Sequence, residues 1–241
     1  MKPLAFVTGG TRGIGRAITV KLIHLGFDVY FTYKNNYDLA SELEGKYPGC
    51  CKGYMIDHGN DDIKKLVNDI LSERTPEVIV NNIGINHDQI FMGQDLDSFW
   101  DMMKVNFGSV LAYSKYFLDS LVQKRKGHII NITSLAAIKP KIGNSAYGAS
   151  KAAIERFSKS LALEVARFNV RVNCVSPAYV KTDLLDSFLE GKAEQEFYKN
   201  IPMRKVLLPD EVANLVGLLS SDQIMTTGSV FYVGNGENIV S

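Results

Sequence analysis

Short apolar, β-branched runs alternate with stretches of helical period from one end of the 241-residue chain to the other. Residues 4–8 read as a buried strand. The helix after it sets Ile14, Ala17, Ile18, Leu22 and Leu25 on one face and closes at Gly26. Residues 29–32 and 54–56 read as the second and third strands, with a helix between them. A helix over 63–71 leads to a strand at 78–80, and a long helix over about 96–124 leads to one at 129–132. Another, over about 145–167, feeds a strand at 170–175; a last helix, 211–219, and a strand, 229–233, follow. Strands spaced by helices form βαβ units rather than hairpins. The expected fold is α/β: a single-domain, Rossmann-type, doubly wound parallel sheet of about seven strands with helices on both faces. With 46% apolar residues and no linker, residues 1–241 are expected to share one large core.

The formal net charge is +1, so bulk electrostatics point to no nucleic-acid partner. The longest apolar runs, such as Val78-Ile79-Val80, fall far short of the ~20 residues of a membrane span, and no membrane partner is expected. A strand pattern begins at once, without a signal-peptide layout, so the expected location is cytoplasmic. Cys50, Cys51 and Cys174 make no disulfide framework. His24, His58, His87 and His128 are scattered, and no metal site is expected.

Thr8-Gly9-Gly10-Thr11-Arg12-Gly13-Ile14-Gly15 joins the first strand to the first helix. Glycines at 9, 13 and 15 let a backbone, and the positive end of a helix, approach a diphosphate; a plain tight turn is the other reading. NAD-preferring enzymes of this architecture carry an acid at the end of the second strand, whereas this one ends Thr32-Tyr33-Lys34. Arg12 and Lys34 are expected to converge on a 2′-phosphate, which favours NADPH as cofactor. Asp57 is placed either to accept from the adenine amino group or to cap a turn. Asn82 and Gly84, just after the fourth strand, are expected to line the cofactor cleft, or else to form an ordinary turn.

Tyr147 and Lys151 stand four residues apart, on one face of a helix. An ammonium beside a phenol favours the phenolate, so the spacing predicts a Tyr147 pKa drawn from ~10 toward working pH. Such a tyrosine passes a proton to and from a substrate oxygen.

These pieces, with Asn81-Asn82-Ile83-Gly84, Asn106, Ser134 and Ser176-Pro177-Ala178, resemble the short-chain dehydrogenase/reductase family over nearly the whole chain. Within it, Ile85-Asn86-His87-Asp88, Ser158-Lys159-Ser160-Leu161-Ala162 and Ile201-Pro202-Met203 look most like 3-oxoacyl-[acyl-carrier-protein] reductases and acetoacetyl-CoA reductases. The resemblance implies hydride transfer to a ketone, with Tyr147 as proton donor. It implies that Lys151 lowers the tyrosine pKa and holds the nicotinamide ribose, that Ser134 fixes the carbonyl oxygen, and that Asn106 bends its helix and holds a relay water. The implied cofactor contacts are Gly9, Thr11, Arg12, Gly13, Ile14, Gly15, Lys34, Asp57, Asn82, Gly84, Tyr147, Lys151 and Val180. It also implies an acyl thioester substrate on acyl carrier protein or coenzyme A, and a homotetramer. Two positions depart from the family: Ile83 stands in place of alanine, and Ala178 in place of glycine. Of two basic carrier-docking positions, Arg125 matches one; the other falls on Phe168, beside Arg167. Arg125 and Arg167 are expected near the mouth of the cleft.

Residues 181–205 leave the carboxyl edge of the sheet and read as a substrate lid or as a surface helical hairpin. Their apolar set, Leu184, Leu185, Phe188, Leu189 and Phe197, suits an acyl chain, and equally an amphipathic helix on the core. Reduction of another ketone, of a sugar or a steroid, stays open, as does a regulator that binds NADPH without turnover.

Overall fold

The computed structural model describes residues 2–189, 194–221 and 223–239. Seven parallel strands lie in the order β3-β2-β1-β4-β5-β6-β7. They are β1 (Leu4–Val7), β2 (Asp28–Tyr33), β3 (Cys51–Met55), β4 (Val78–Asn81), β5 (Gly127–Ile132), β6 (Val170–Pro177) and β7 (Val230–Val233). The order reverses between β1 and β4, the switch point at whose carboxyl edge an open α/β sheet leaves a crevice. This is the doubly wound sheet that the alternation predicts.

Helices α1 (Gly13–His24), α2 (Tyr37–Lys46) and α9 (Pro209–Ser220) cover one face. Their core joins Val7, Val29, Phe31 and Val80 to Ile18, Leu22 and Val216. Helices α3 (Ile63–Glu73), α5 (Ser109–Lys124) and α6 (Ser145–Val165) cover the other, where Phe6, Ile79 and Ile129 meet Val67, Tyr113, Phe117 and Leu161. Successive residues of a strand point to opposite faces, which is why Phe6 and Val7 serve different cores. Both faces being covered, β1, β4, β5 and β6 are buried along their whole length.

Most boundaries fall within two residues of expectation, and two features differ further. Strand β3 starts at Cys51 rather than at residue 54, because it is an edge strand whose exposed Lys52 and half-buried Gly53 hide the apolar signal. The long helix over 96–124 is α4 (Leu96–Met103) and α5 joined by a π-helical turn, Lys104–Gly108. Beyond β6, α7 (Asp183–Leu189) and α8 (Glu194–Lys199) pack a small cluster of their own, Leu185, Ile201 and Val206 with Tyr179, Leu189 and Phe197. The side chains of Leu184 and Phe188 lie outside the described residues.

Candidate active site

The chain leaves β1 and turns through residues 8–12 into α1. Gly9 and Gly13 hold φ at +69° and +50°, a region that side chains disfavour. A Cβ on Gly15 would lie 2.0 Å from the Gly9 carbonyl oxygen. Neighbouring strand ends brace the turn. Thr8 Oγ1 accepts the N–H groups of Asn82 and Ile83 at 2.9 and 3.0 Å, and the Asn82 amide donates to the Thr8 carbonyl at 3.0 Å. Gly9 N–H donates to Thr32 Oγ1 at 3.0 Å. The Asn82 amide nitrogen thus helps to hold the turn. The first intrahelical bond of α1 runs from Arg16 N–H to the Arg12 carbonyl at 3.0 Å, so the N–H groups of Gly13, Ile14 and Gly15 precede it without acceptors in the helix. Bare glycine backbone and a helix start on one turn fit a diphosphate.

The charged residues expected at a 2′-phosphate each hold an acid. Arg12 Nη1 stands 3.3 Å from Asp183, and Lys34 Nζ stands 2.8 Å from Asp57. Asp57 also accepts from Gly59 N–H and the Asn60 amide, both at 3.0 Å. Lys34 first, then these two bonds, bring its carboxyl down to about 2. The turn-capping reading of Asp57 is the one seen here. Thr11 is buried, and Ile14 and Val180 line the cleft. Val180 bridges to Leu207, and next to it Thr182 comes within 3.2 Å of a Cβ placed on Gly13.

Beyond the turn lies a cleft of about 390 Å³ lined by Ser134, Tyr147, Val180, Leu185, Phe197 and Ile201, among others. Ser134 follows the end of β5 and caps a short 3₁₀ turn, its Oγ accepting Ala136 N–H at 3.2 Å. Tyr147 and Lys151 occupy the first turns of α6. Lys151 is 3% exposed, donates to the Ile132 carbonyl at 3.0 Å, and lies 5.6 Å from the centre of the Tyr147 ring. A Cβ on Gly84 would lie 3.2 Å from Lys151 Nζ and 3.7 Å from Asn106 Oδ1, so the backbone after β4 approaches both. Asn106 sits in the π-helical turn, fully buried. It accepts from Ile85 N–H at 2.8 Å and donates to the Ile85 carbonyl and Ser150 Oγ at 2.9 and 3.1 Å. All four expected catalytic side chains therefore converge behind one cleft.

Their electrostatics correct the expectation. The Tyr147 phenol is raised rather than lowered: desolvation dominates, the Ser134 hydrogen bond works against it, and the Asp88 charge adds to it. Burial brings Lys151 down to about 8. The i,i+4 spacing sets Lys151 beside the phenol, but the phenol's own desolvation decides the direction of its shift.

Arg125 and Arg167 are also corrected. Each lies just before the amino end of its strand, β5 or β6, where Arg125 Nη2 donates to the Arg167 carbonyl at 3.0 Å. Six residues of β5 separate Arg125 from Ser134, roughly 20 Å at ~3.3 Å per residue. Parallel strands put the cleft at the opposite edge from both arginines.

Two residues escaped the sequence reading. Glu155 is buried one turn beyond Lys151 and accepts from Thr133 Oγ1 at 3.0 Å; its i+4 offset from Lys151 was the available signal. Asp88, part of a quoted motif, bonds Lys141 at 2.6 Å beside the cleft.

A family model described as short chain dehydrogenase matches residues 3–193. The chain belongs to the short-chain dehydrogenase family. This short-chain dehydrogenase is similar to the 3-oxoacyl-[acyl-carrier-protein] reductase of Aquifex aeolicus (strain VF5), 33% identical over 97% of this chain and 96% of the relative. It is also similar to the 7alpha-hydroxysteroid dehydrogenase of Paraclostridium sordellii, 30% identical over 98% and 92%. A crystal structure from Beutenbergia cavernae, provisionally named an NAD(P)-dependent gluconate 5-dehydrogenase and holding NADP at low occupancy, matches with a TM-score of 0.91. It is 25% identical, over 98% of this chain and 96% of that one. The family is one of oxidoreductases working with a nicotinamide dinucleotide, and the glycine turn and cleft of this short-chain dehydrogenase fit that cofactor.

Proposed function

We propose that this short-chain dehydrogenase is an NADPH-dependent reductase that converts a 3-oxoacyl thioester to its 3-hydroxyacyl product. The observation that carries the reading is Ser134 and Tyr147 lining one cleft that opens from the glycine turn, with buried Lys151 behind them, 5.6 Å from the centre of the Tyr147 ring. The bound nicotinamide supplies the hydride. Ser134 holds the ketone oxygen, an oxyanion-type role, and Tyr147 donates its phenolic proton to the alkoxide as it forms. A phenol raised by burial stays protonated at working pH, the state a donor needs. Lys151 keeps N–H donors beyond the one given to Ile132 and turns them to the ribose. Asn106 clamps the backbone at Ile85 and the α6 residue Ser150, which fixes the loop facing Lys151.

NADPH is favoured by the absence of an acid at the end of β2 and by Arg12 and Lys34. The reductase relative supports a 3-oxoacyl substrate, and the apolar cluster of Leu185, Ile201 and Phe197 beside the cleft suits an acyl chain. Residues 181–205 are the lid in this reading. Since Arg125 and Arg167 face away from this cleft, the carrier is coenzyme A or a protein engaged elsewhere. Oxidation of NADPH by acetoacetyl-CoA, followed by absorbance, tests the reading. The hydroxysteroid dehydrogenase relative favours a second one, a cyclic ketone in the same cleft; a bile-acid 7-ketone reduced faster than acetoacetyl-CoA would establish it instead.

A further inference from the structure

The loop after β4, residues 84–94, and the segment before α6, residues 139–144, flank the cleft, and one carboxylate ties them together. Asp88 accepts from Lys141 Nζ at 2.6 Å, from the Asn144 amide at 2.7 Å and from the Asn86 amide at 2.9 Å. Two weaker stitches run alongside: Gln89 N–H to the Gly143 carbonyl at 2.8 Å, and Ser145 Oγ to Gln94 at 3.3 Å. Asn144 immediately precedes α6, and its carbonyl accepts Gly148 N–H at 2.9 Å. Whatever fixes Asn144 therefore fixes the helical turn that carries Tyr147.

Burial opposes the charge on Asp88, but the bonds from Lys141, Asn144 and Asn86 outweigh it and hold the carboxyl below its ordinary value. It is ionised at any working pH. The groups that bear on the Tyr147 phenol are Ser134 after β5, Lys151 on α6 and Asp88 after β4. Across the cleft, Tyr179 also feels the Asp88 charge. An exposed ion pair contributes little to stability, so a three-donor clasp here calls for another account.

We propose that Asp88 is a positioning residue: by clasping Lys141 and Asn144 it locks the start of α6 against the loop after β4 and so sets where the Tyr147 hydroxyl stands in the cleft. The kinetic readout rests on the thioester reduction proposed above; the clasp itself does not.

Asp88→Asn keeps an acceptor of the same shape but loses the charge, and Asp88→Ala loses both. With NADPH and acetoacetyl-CoA, Asp88→Ala lowers kcat about tenfold or more, since small displacements of a reacting group are costly, while the NADPH Kd stays within about twofold. Asp88→Asn keeps more of kcat and moves the alkaline limb of its pH profile to lower pH, because the phenol loses a neighbouring negative charge. A kcat within about twofold of wild type in Asp88→Ala, or an unmoved profile in Asp88→Asn, overturns the assignment. A second measurement needs no turnover. In the NADP⁺-loaded protein carrying ¹³C-labelled tyrosine, the Tyr147 resonance, identified by its loss in Tyr147→Phe, shifts in both variants and titrates at lower pH in Asp88→Asn. A resonance unmoved in both overturns the clasp. A moved resonance in a protein that leaves acetoacetyl-CoA unreduced upholds the clasp and overturns only the substrate reading.

Discussion

Lys151 Nζ lies 5.6 Å from the centre of the Tyr147 ring and gives one of its bonds to the Ile132 carbonyl at 3.0 Å. The amine is thus anchored to the end of β5, on the strand that leads into Ser134, and the phenol stands between it and the open cleft. Sheet and helix together hold the donor, its orienting serine and the lysine in one place.

Tyr147→Phe deletes the proton donor and keeps the ring. Ketone reduction should fall by about 10²–10⁴-fold, the usual worth of general acid catalysis, with NADPH affinity nearly intact. Steady-state kinetics and a cofactor titration check this. More than half of wild-type turnover, with chemistry shown to limit the rate, would remove Tyr147 from the reaction.

Lys151→Met should separate function from stability. Burial lowers the Lys151 pKa from 10.5 to about 8, so between those values the unfolded chain binds a proton that the folded chain releases. Stability attributable to this site therefore rises with pH across that window. Below pH 8 the buried ammonium costs the fold roughly 3 kcal/mol. Replacing it by a side chain of similar length removes that cost and forfeits the Ile132 bond, worth ~1 kcal/mol. The expected outcome at pH 7 is an inactive protein with a Tm above wild type, the gap closing toward pH 10.5. A lower Tm at pH 7 would mean that the lysine stabilises the fold.

Most of this was legible because it depends on local spacing. Apolar periodicity gave the strands and the helices around them, and Tyr147 and Lys151 were paired by their offset alone. What escaped depends on the environment. The phenol's direction of shift reverses because its own desolvation outweighs what its neighbours do, and no spacing encodes desolvation. The bond from the Asn82 amide to the Thr8 carbonyl, a contact across 74 residues, likewise has no local signal. Arg125 was misplaced although a parallel sheet was expected: a residue just before a strand of such a sheet lies at its amino edge, away from the cleft.

Cofactor preference tests the two cations at the glycine turn. Arg12 and Lys34 face Asp183 and Asp57 in the free protein, so a 2′-phosphate must compete with an exposed and a half-buried carboxylate. A charge-assisted bond contributes ~1.5–3 kcal/mol, so Arg12→Ala and Lys34→Ala should each weaken NADPH binding by roughly 10–100-fold. NADH binding should change far less. Asp183→Asn, which releases Arg12, should tighten NADPH modestly. Equal losses for both cofactors would make the two residues structural.

Acid should undo the fold through two histidines remote from the reaction. His58 receives the Tyr113 hydroxyl at 3.1 Å, and burial lowers its pKa from 6.5 to about 4. His128 is lowered to about 3, mainly by burial and further by Arg171. Its Nδ1 faces the Leu219 carbonyl at 2.9 Å and its Nε2 faces the Asn173 amide nitrogen at 2.8 Å. The Asn173 oxygen already accepts Ser229 N–H at 3.0 Å, so the amide cannot flip to receive a second imidazole proton. Both rings are neutral in the folded protein at pH 7, while in the unfolded chain they take up protons below pH 6.5. Their contribution to stability is therefore complete above pH 6.5 and is lost as pH falls, by roughly 3 kcal/mol each at pH 4. Denaturant melts at pH 7 and pH 4 should show this loss, and His58→Gln, though less stable at pH 7, should shrink the difference by roughly 3 kcal/mol. An undiminished difference in that variant would mean that His58 is protonated in the native state or that its ring is not buried neutral.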